Sequence, residues 1–304
     1  MKQPKFDFLS SSPFITTTSL LLSVVALVWI IINGLNYGID FAGGNEVQIR
    51  FQQAPTVEEI RTYLSTQGFS KPSVQTFGDE QNEFLIFVEN VSSEKEEGKN
   101  QLVMENLIHS LKEDFAAQGA EIRKVDSVGP QIGSELRQKG ILAVFYSLIM
   151  ILIYLAIRFD YKYAPAAVIC LFHDAILTMW VFALFHLVVN VQTLAALLAI
   201  IGYSLNDTIV TFDRIRENGE YFGKKESFFK LCNRSINDVL SRTLLTSLTT
   251  MMAVSVMWFF TDGVIRDFAF TLGVGVIIGT YSSIYVATPL VIFIDRLQRK
   301  RKAY

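Results

Sequence analysis

The chain has 304 residues, 51% of them hydrophobic, and a formal net charge of -2. That charge balance, with a pI near 6.0, leaves no basic stripe for a nucleic-acid surface, so nucleic-acid binding is excluded. The two cysteines, Cys170 in an apolar run and Cys232 in a basic stretch, exclude a disulfide scaffold and a cysteine zinc site.

The average composition conceals a strong segregation. Several windows of about 20 residues, the length that crosses a bilayer core of about 30 Å, are almost free of charge, and the charges crowd between them. The pattern predicts a polytopic α-helical membrane protein: a six-helix transmembrane bundle with one inserted polar domain. The first apolar run covers residues 14–32, behind Lys2 and Lys5. It is too long for the apolar part of a signal peptide and lacks a small-residue cleavage site, so residues 1–33 are expected to form a short N-terminus and a retained first span.

From 34 to 139 the pattern changes from continuous to alternating. Residues 46–51 alternate as a strand, and 56–65 begin with a capping box, Thr56 to Glu59, as a helix does. Residues 74–77 and 83–88 read as two more strands. The stretch 101–115 puts Leu102, Leu107, Ile108, Leu111 and Phe115 on one helical face, and 120–125 reads as a last strand. The order is βαββαβ, the split, ferredoxin-like α+β arrangement. Residues 33–137 carry 17 Asp plus Glu against 9 Lys plus Arg, an acidic domain without phosphate-binding character.

Apolar runs follow at 140–157, 163–184 and 191–212. A polar stretch, 213–242, is expected as a cytoplasmic loop; within it 218–238, with interleaved aromatic residues, reads either as a segment lying on the membrane surface or as a solvated loop. Runs at 243–260 and 268–294 complete six spans, and 295–304 form a basic tail. Lys and Arg number 2, 2, 7 and 5 in alternate connections and 0 and 1 in the two short opposite ones. Short basic connections stay in the cytoplasm, so both termini are expected inside and the acidic domain exported.

The stretch 194–218 organises the rest. It starts as a membrane helix but meets Asn206 and Asp207 before the apolar run ends. An ionisable group there costs roughly 2.5–3.5 kcal/mol on insertion scales, so Asp207 is a candidate functional group, against a carboxylate hydrogen-bonded only for packing. Asn206 reads as an amide that packs or orients Asp207. Asp213, beside Arg214 and Arg216, marks the border instead. His173 and Asp174 lie near the middle of the third span, where they either relay protons or hold helices together. His109 and His186 read as surface or packing residues. No histidine has a partner at metal-ligand spacing. Gly219 and Gly223 before Lys224 and Lys225 have the wrong spacing for a nucleotide-phosphate loop, so no cofactor and no ATP hydrolysis is expected. Gly43 and Gly44 read as a tight turn or close-packing site, and Gly275 and Gly279 stand at the GxxxG spacing that lets helices approach.

Four segments carry a resemblance: GLNYGIDFAGGNEVQIRF, VGPQIGSELRQKG, GYSLNDTIVTFDRIREN and SINDVLSRTLLTSLTT. In this order they resemble the bacterial SecF export-subunit family, within the resistance-nodulation-division superfamily. The resemblance implies a bacterial inner-membrane protein that is no enzyme. It implies SecD as partner, association with the SecYEG channel and YajC, and coupling of the proton motive force to late translocation of unfolded polypeptides. It also implies that Arg242 acts with Asp207. Asp207 lies about six residues, or roughly 9 Å at 1.5 Å per residue, inside the end of its apolar run, within reach of a long arginine. Making and breaking such a pair would change the carboxyl's affinity for protons; an interface anchor is the alternative role for Arg242. Two other functions compete: a half-transporter of the same superfamily for a small hydrophobic substrate, and a structural subunit without its own proton path.

Overall fold

In a computed structural model, the protein is described over residues 6–67, 69, 72–77, 82–88, 97–159, 162–223, 225–261 and 263–302. Lys2, Lys5 and Lys224, counted above among the basic flanks, lie outside these, as do the side chains of Leu102, Arg301 and Lys302. Among the described residues six helical segments are long and apolar enough to cross a membrane. They are α1 (Ser12–Asn33), α5 (Pro130–Arg158), α6 (Tyr163–Leu184), α7 (Val191–Phe222), α8 (Phe228–Phe260), and α9 (Gly263–Ser282) continued by a π-helical turn, Ser283–Ala287, into α10 (Thr288–Lys302).

Between α1 and α5 stands the small α+β domain. Its strands are β2 (Gly44–Arg50), β3 (Ser73–Phe77), β4 (Glu83–Val88) and β5 (Glu121–Val128), with α3 (Val57–Thr66) and α4 (Glu97–Asp114) on one face. The sheet runs β3-β4-β2-β5 and every neighbouring pair is antiparallel, the topology a split βαβ unit generates. Alternation decides which face is covered. Val47, Ile49, Phe84 and Ile86 turn inward onto Ile60, Leu64, Leu107 and Leu111, and all are buried. Thr56 and Glu59 form the reciprocal capping box that starts α3.

On the opposite sheet face Glu46 stands directly across from Asp126, and like charges so placed repel. Burial first, then Asp126, raises the Glu46 pKa above its ordinary 4.5; Lys124, paired with Asp126, offsets part of this. A raised folded-state pKa means that the native domain prefers protonated Glu46, so its contribution is fully present below pH 4.5 and lost as pH rises through the folded value. Glu46→Gln is therefore expected to slow amide exchange in β2 and β5 of the full-length protein at pH 7–8, with the advantage fading as pH falls toward 4.5. Equal protection of wild type and variant across that range would remove the assigned repulsion.

The domain is fixed to the bundle by the glycine motif. β1 (Asn36–Tyr37) pairs in parallel with β6 (Val188–Val189), just ahead of a one-turn helix, α2 (Ile39–Ala42). Gly43 and Gly44 then have φ of 72° and 132°, left-handed values that favour glycine. A Cβ on Gly43 would stand 2.7 Å from Pro130 Cα, and one on Gly133 would stand 2.6 Å from the Gly43 nitrogen. The tight turn and the close approach expected of the pair are both present, and the surface approached is the start of α5. Asp40 reaches the start of α7, its Oδ2 accepting from the Val191 N–H at 3.0 Å, and Asn190 and Thr193 close a capping box on the same helix.

The polar stretch 213–242 is not a loop. α7 continues to Phe222, α8 starts at Phe228, and only a short turn separates them. Helical spacing carries buried Phe212, Ile215, Leu231 and Ile236 into one core, and polar residues pair between the two helices. Arg214 Nε and Asn218 Nδ2 donate to Asp238 Oδ2 at 2.8 and 3.0 Å, and Asn218 also donates to Ser235 Oγ at 3.0 Å. The charge density of this stretch reads as a cytoplasmic loop, but these charges satisfy one another across a helical hairpin. For the same reason α5 starts at Pro130, with proline at a position that needs no N–H, ahead of the apolar run that begins at 140. Gly275 and Gly279 face α7: a Cβ on Gly275 would meet Ile200 at 2.2 Å, and one on Gly279 would meet Ser204 at 3.0 Å.

Candidate functional site

Two buried polar groupings lie at mid-depth in the bundle. The first centres on Asp174 of α6. His173 Nδ1 is 2.8 Å from Asp174 Oδ1, and the hydroxyls of Ser204 on α7 and Ser282 on α9 donate to Oδ2 at 2.5 and 2.8 Å. The far ring nitrogen, His173 Nε2, lies 2.7 Å from Ser19 Oγ on α1. His173, Asp174, Ser19, Ser204 and Ser282 are all buried. Four helices are joined through one carboxylate, in surroundings where an unpaired polar group costs several kcal/mol.

Ser282 is the last residue before the π-helical turn. The wider helix there shifts carbonyls out of register, and threonines take them up: Thr16 Oγ1 of α1 donates to the Tyr285 carbonyl at 2.6 Å, and Thr288 Oγ1 to that of Ser283 at 3.2 Å. The break thus lies next to the carboxylate cluster, where such turns often accompany function.

Sequence reasoning found His173 and Asp174 but not the hydroxyls that complete the cluster. A signal existed for Ser19. Ser12, Thr16, Ser19, Ser23 and Ala26 recur every three or four residues on α1 and all are buried. Small polar residues at that spacing mark a helix-packing face in membranes.

The second grouping is one turn further along α7. Asp207 and Thr208 are buried, and Asp207 Oδ2 and Thr208 Oγ1 have no hydrogen-bond partner among the described residues. Asn206 lies within hydrogen-bonding reach of the carboxylate and is itself exposed on the flank of the bundle. Arg242 on α8 acts on Asp207 electrostatically, yet no hydrogen bond or ion pair within 4 Å joins them, and Arg242 is exposed. The structure therefore brings Asn206 to Asp207 and leaves Arg242 close but unengaged. His109 and His186 are exposed: His109 is 3.3 Å from Glu113, and His186 has φ 52°. No group of three His, Cys, Asp or Glu among the described residues is placed to hold a metal.

Comparison with known proteins bears on this arrangement. Residues 108–297 match the family model of the protein export membrane proteins SecD/SecF, C-terminal region, and 28–55 match the SecD/SecF GG motif. The chain belongs to the SecD/SecF family. The SecD/SecF match takes in Asp174, Asp207 and Arg242 in the first model and Gly43–Gly44 in the second. Among its relatives are the protein translocase subunits SecF of Desulfurispirillum indicum, 43% identical over 94% of this chain and 90% of that protein, and of Magnetococcus marinus, 41% identical over 100% and 96%. A crystal structure of a Thermus SecDF, described as a translocon-associated membrane protein, superposes with a TM-score of 0.84 at 36% identity over 96% of this chain. A second SecDF structure, in a super-membrane-facing form, gives 0.71 at 36% identity. This SecD/SecF family member spans only 39% and 40% of those solved chains.

Proposed function

We propose that the chain acts with SecD to couple the proton motive force to late steps of polypeptide translocation across the bacterial inner membrane, next to SecYEG and YajC. In this reading both termini are cytoplasmic, the sheet domain is exported, and Asp207 is the group that gains and loses the proton. The carrying observation is Oδ2 of Asp207: a buried carboxylate oxygen without a hydrogen-bond partner among the described residues, beside an arginine that is near but not engaged. A carboxylate held only for packing would have its oxygens satisfied, as those of Asp174 are.

Support for a helical partner comes from Asn206 and Arg242. Asn206 is exposed on α7 in line with exposed Ala195, Ala199 and Gly202, and Arg242 is exposed on α8 ahead of exposed Leu244, Leu245, Leu248 and Met252; polar side chains facing lipid are costly. A second multi-span subunit packed on this flank would cover them and complete the surroundings of Asp207. His173 and Asp174 form the supporting centre, since their cluster couples α6 to α1, α7 and α9 and so can transmit a change of helix packing.

Vesicles containing SecYEG and SecD test the proposal. Adding the chain is expected to speed export only when a proton gradient is imposed, and Arg242→Ala is expected to weaken that response at least tenfold, about 1.4 kcal/mol. Acceleration by the chain without any gradient, and to the same extent with Arg242→Ala, would favour the structural-subunit alternative.

A further inference from the structure

At the end of the bundle that carries the sheet domain, α5 stands slightly away from α6 and α7. The gap is an apolar crevice of about 310 Å³, bounded by Ile141, Val144 and Leu148 of α5, Phe172 and Met179 of α6 and Leu197 of α7. Beside it lies a polar cavity of about 530 Å³ lined by Gln131, Ser134, Glu135 and Gln138. Arg137 and Ile141 line both.

We infer that this pair of cavities is a binding site for one anionic phospholipid, with an acyl chain in the crevice and the phosphate on Arg137. The length agrees. From Arg137 to Leu148 is eleven residues, roughly 16 Å at 1.5 Å per residue, about half of the 30 Å hydrocarbon core and thus one leaflet. The chemistry changes at the matching level, from the polar cavity to the apolar crevice, at the residue where the α5 apolar run begins.

The charge agrees as well. The Arg137 guanidinium rests over the Tyr37 ring at 5.6 Å, and among the described residues no carboxylate lies within 4 Å of it. The one acidic group lining the polar cavity, Glu135, is held by Lys139 at 2.7 Å, so it does not cancel the arginine. An unpaired guanidinium presents the forked donors that suit a phosphate, and a lipid without a headgroup ammonium adds no cation beside it. The crevice also opens sideways: Ile141 and Phe145 at its mouth are exposed on the lipid-facing flank of α5. A slot open to hydrocarbon and lined by aliphatic and aromatic groups gains contacts when a chain fills it.

The test uses the full-length chain in vesicles of phosphatidylglycerol and phosphatidylcholine, where the phosphatidylglycerol carries a photoactivatable diazirine in its acyl chain. Labelling is expected to concentrate on residues 141–148 of α5 and the facing part of α6. After detergent extraction, native mass spectrometry is expected to find one retained phosphatidylglycerol, favoured over phosphatidylcholine by about fivefold, as one interfacial basic group would give. Arg137→Gln is expected to abolish the preference while a lipid is still retained, Arg137→Lys to restore part of it, and Ile141→Trp to fill the slot and eliminate retention. Arg137 is exposed, so its variants fold whether or not the crowded Ile141→Trp does. Labelling spread evenly over α1, α5 and α8, or equal retention of both lipids by wild type and Arg137→Gln, overturns the site. So does a crevice protected from labelling by SecD in the assembled complex, which would make a partner chain its occupant.

Discussion

Asp207→Asn is expected to leave the protein folded and to remove the increment that a proton gradient adds to export. The amide has the shape of the carboxyl, and the oxygen that changes has no hydrogen-bond partner to lose among the described residues. Thermal unfolding in detergent should therefore shift little. What disappears is a group that can change charge. Each proton crossing a potential of 100 mV carries about 2.3 kcal/mol, and it does work only if its uptake and release are tied to helix packing. With an amide at 207 this tie is cut, and the time course of export in vesicles should be the same with and without the gradient. Asp207→Glu retains the titrating group and should recover part of the response. A gradient response of wild-type size in the Asn variant would exclude Asp207 as the coupling group.

Asp174 should behave in the opposite way, because its oxygens are engaged. Asp174→Ala leaves the His173 ring and the hydroxyls of Ser204 and Ser282 without their shared acceptor in the middle of the bundle. Removing one member of a buried pair typically costs about 3–5 kcal/mol, so a large fall in the thermal midpoint of the detergent-solubilised protein is expected. Asp174→Asn is the informative companion. Its carbonyl can accept from the serines while its NH₂ turns to His173, provided that the ring moves its proton from Nδ1 to Nε2 and donates to Ser19. Stability should be largely kept, and ¹⁵N shifts of the His173 ring should report the exchanged tautomer. If Asp174→Ala unfolds at the wild-type temperature, the cluster does not hold the four helices together.

Much of the architecture was legible from residue order. The six spans follow from apolar length, and the strands of the sheet domain from alternation, because both are local consequences of what solvent a side chain will accept. The glycine pair was legible as a turn, yet its partner was not. Gly43 meets Pro130 and Gly133, which lie about ninety positions away, and no local pattern encodes that approach. The stretch 213–242 misled for a physical reason: a basic polar segment reads as solvated, whereas Arg214, Asn218, Ser235 and Asp238 satisfy one another between two extended helices.

The two buried carboxyls mark the same boundary. That Asp174 and Asp207 lie inside apolar helices is a property of sequence alone, since every polar group in such a segment must find a protein partner or a water-lined space. Which of them finds partners is decided by tertiary structure. Ser19, Ser204 and Ser282 come from three other helices and converge on the Asp174–His173 pair only when these pack, while the same packing leaves Asp207 Oδ2 without a hydrogen-bond partner among the described residues. Hydrogen bonds are satisfied by neighbours in space, and for these two acids the decisive neighbours stand on different helices.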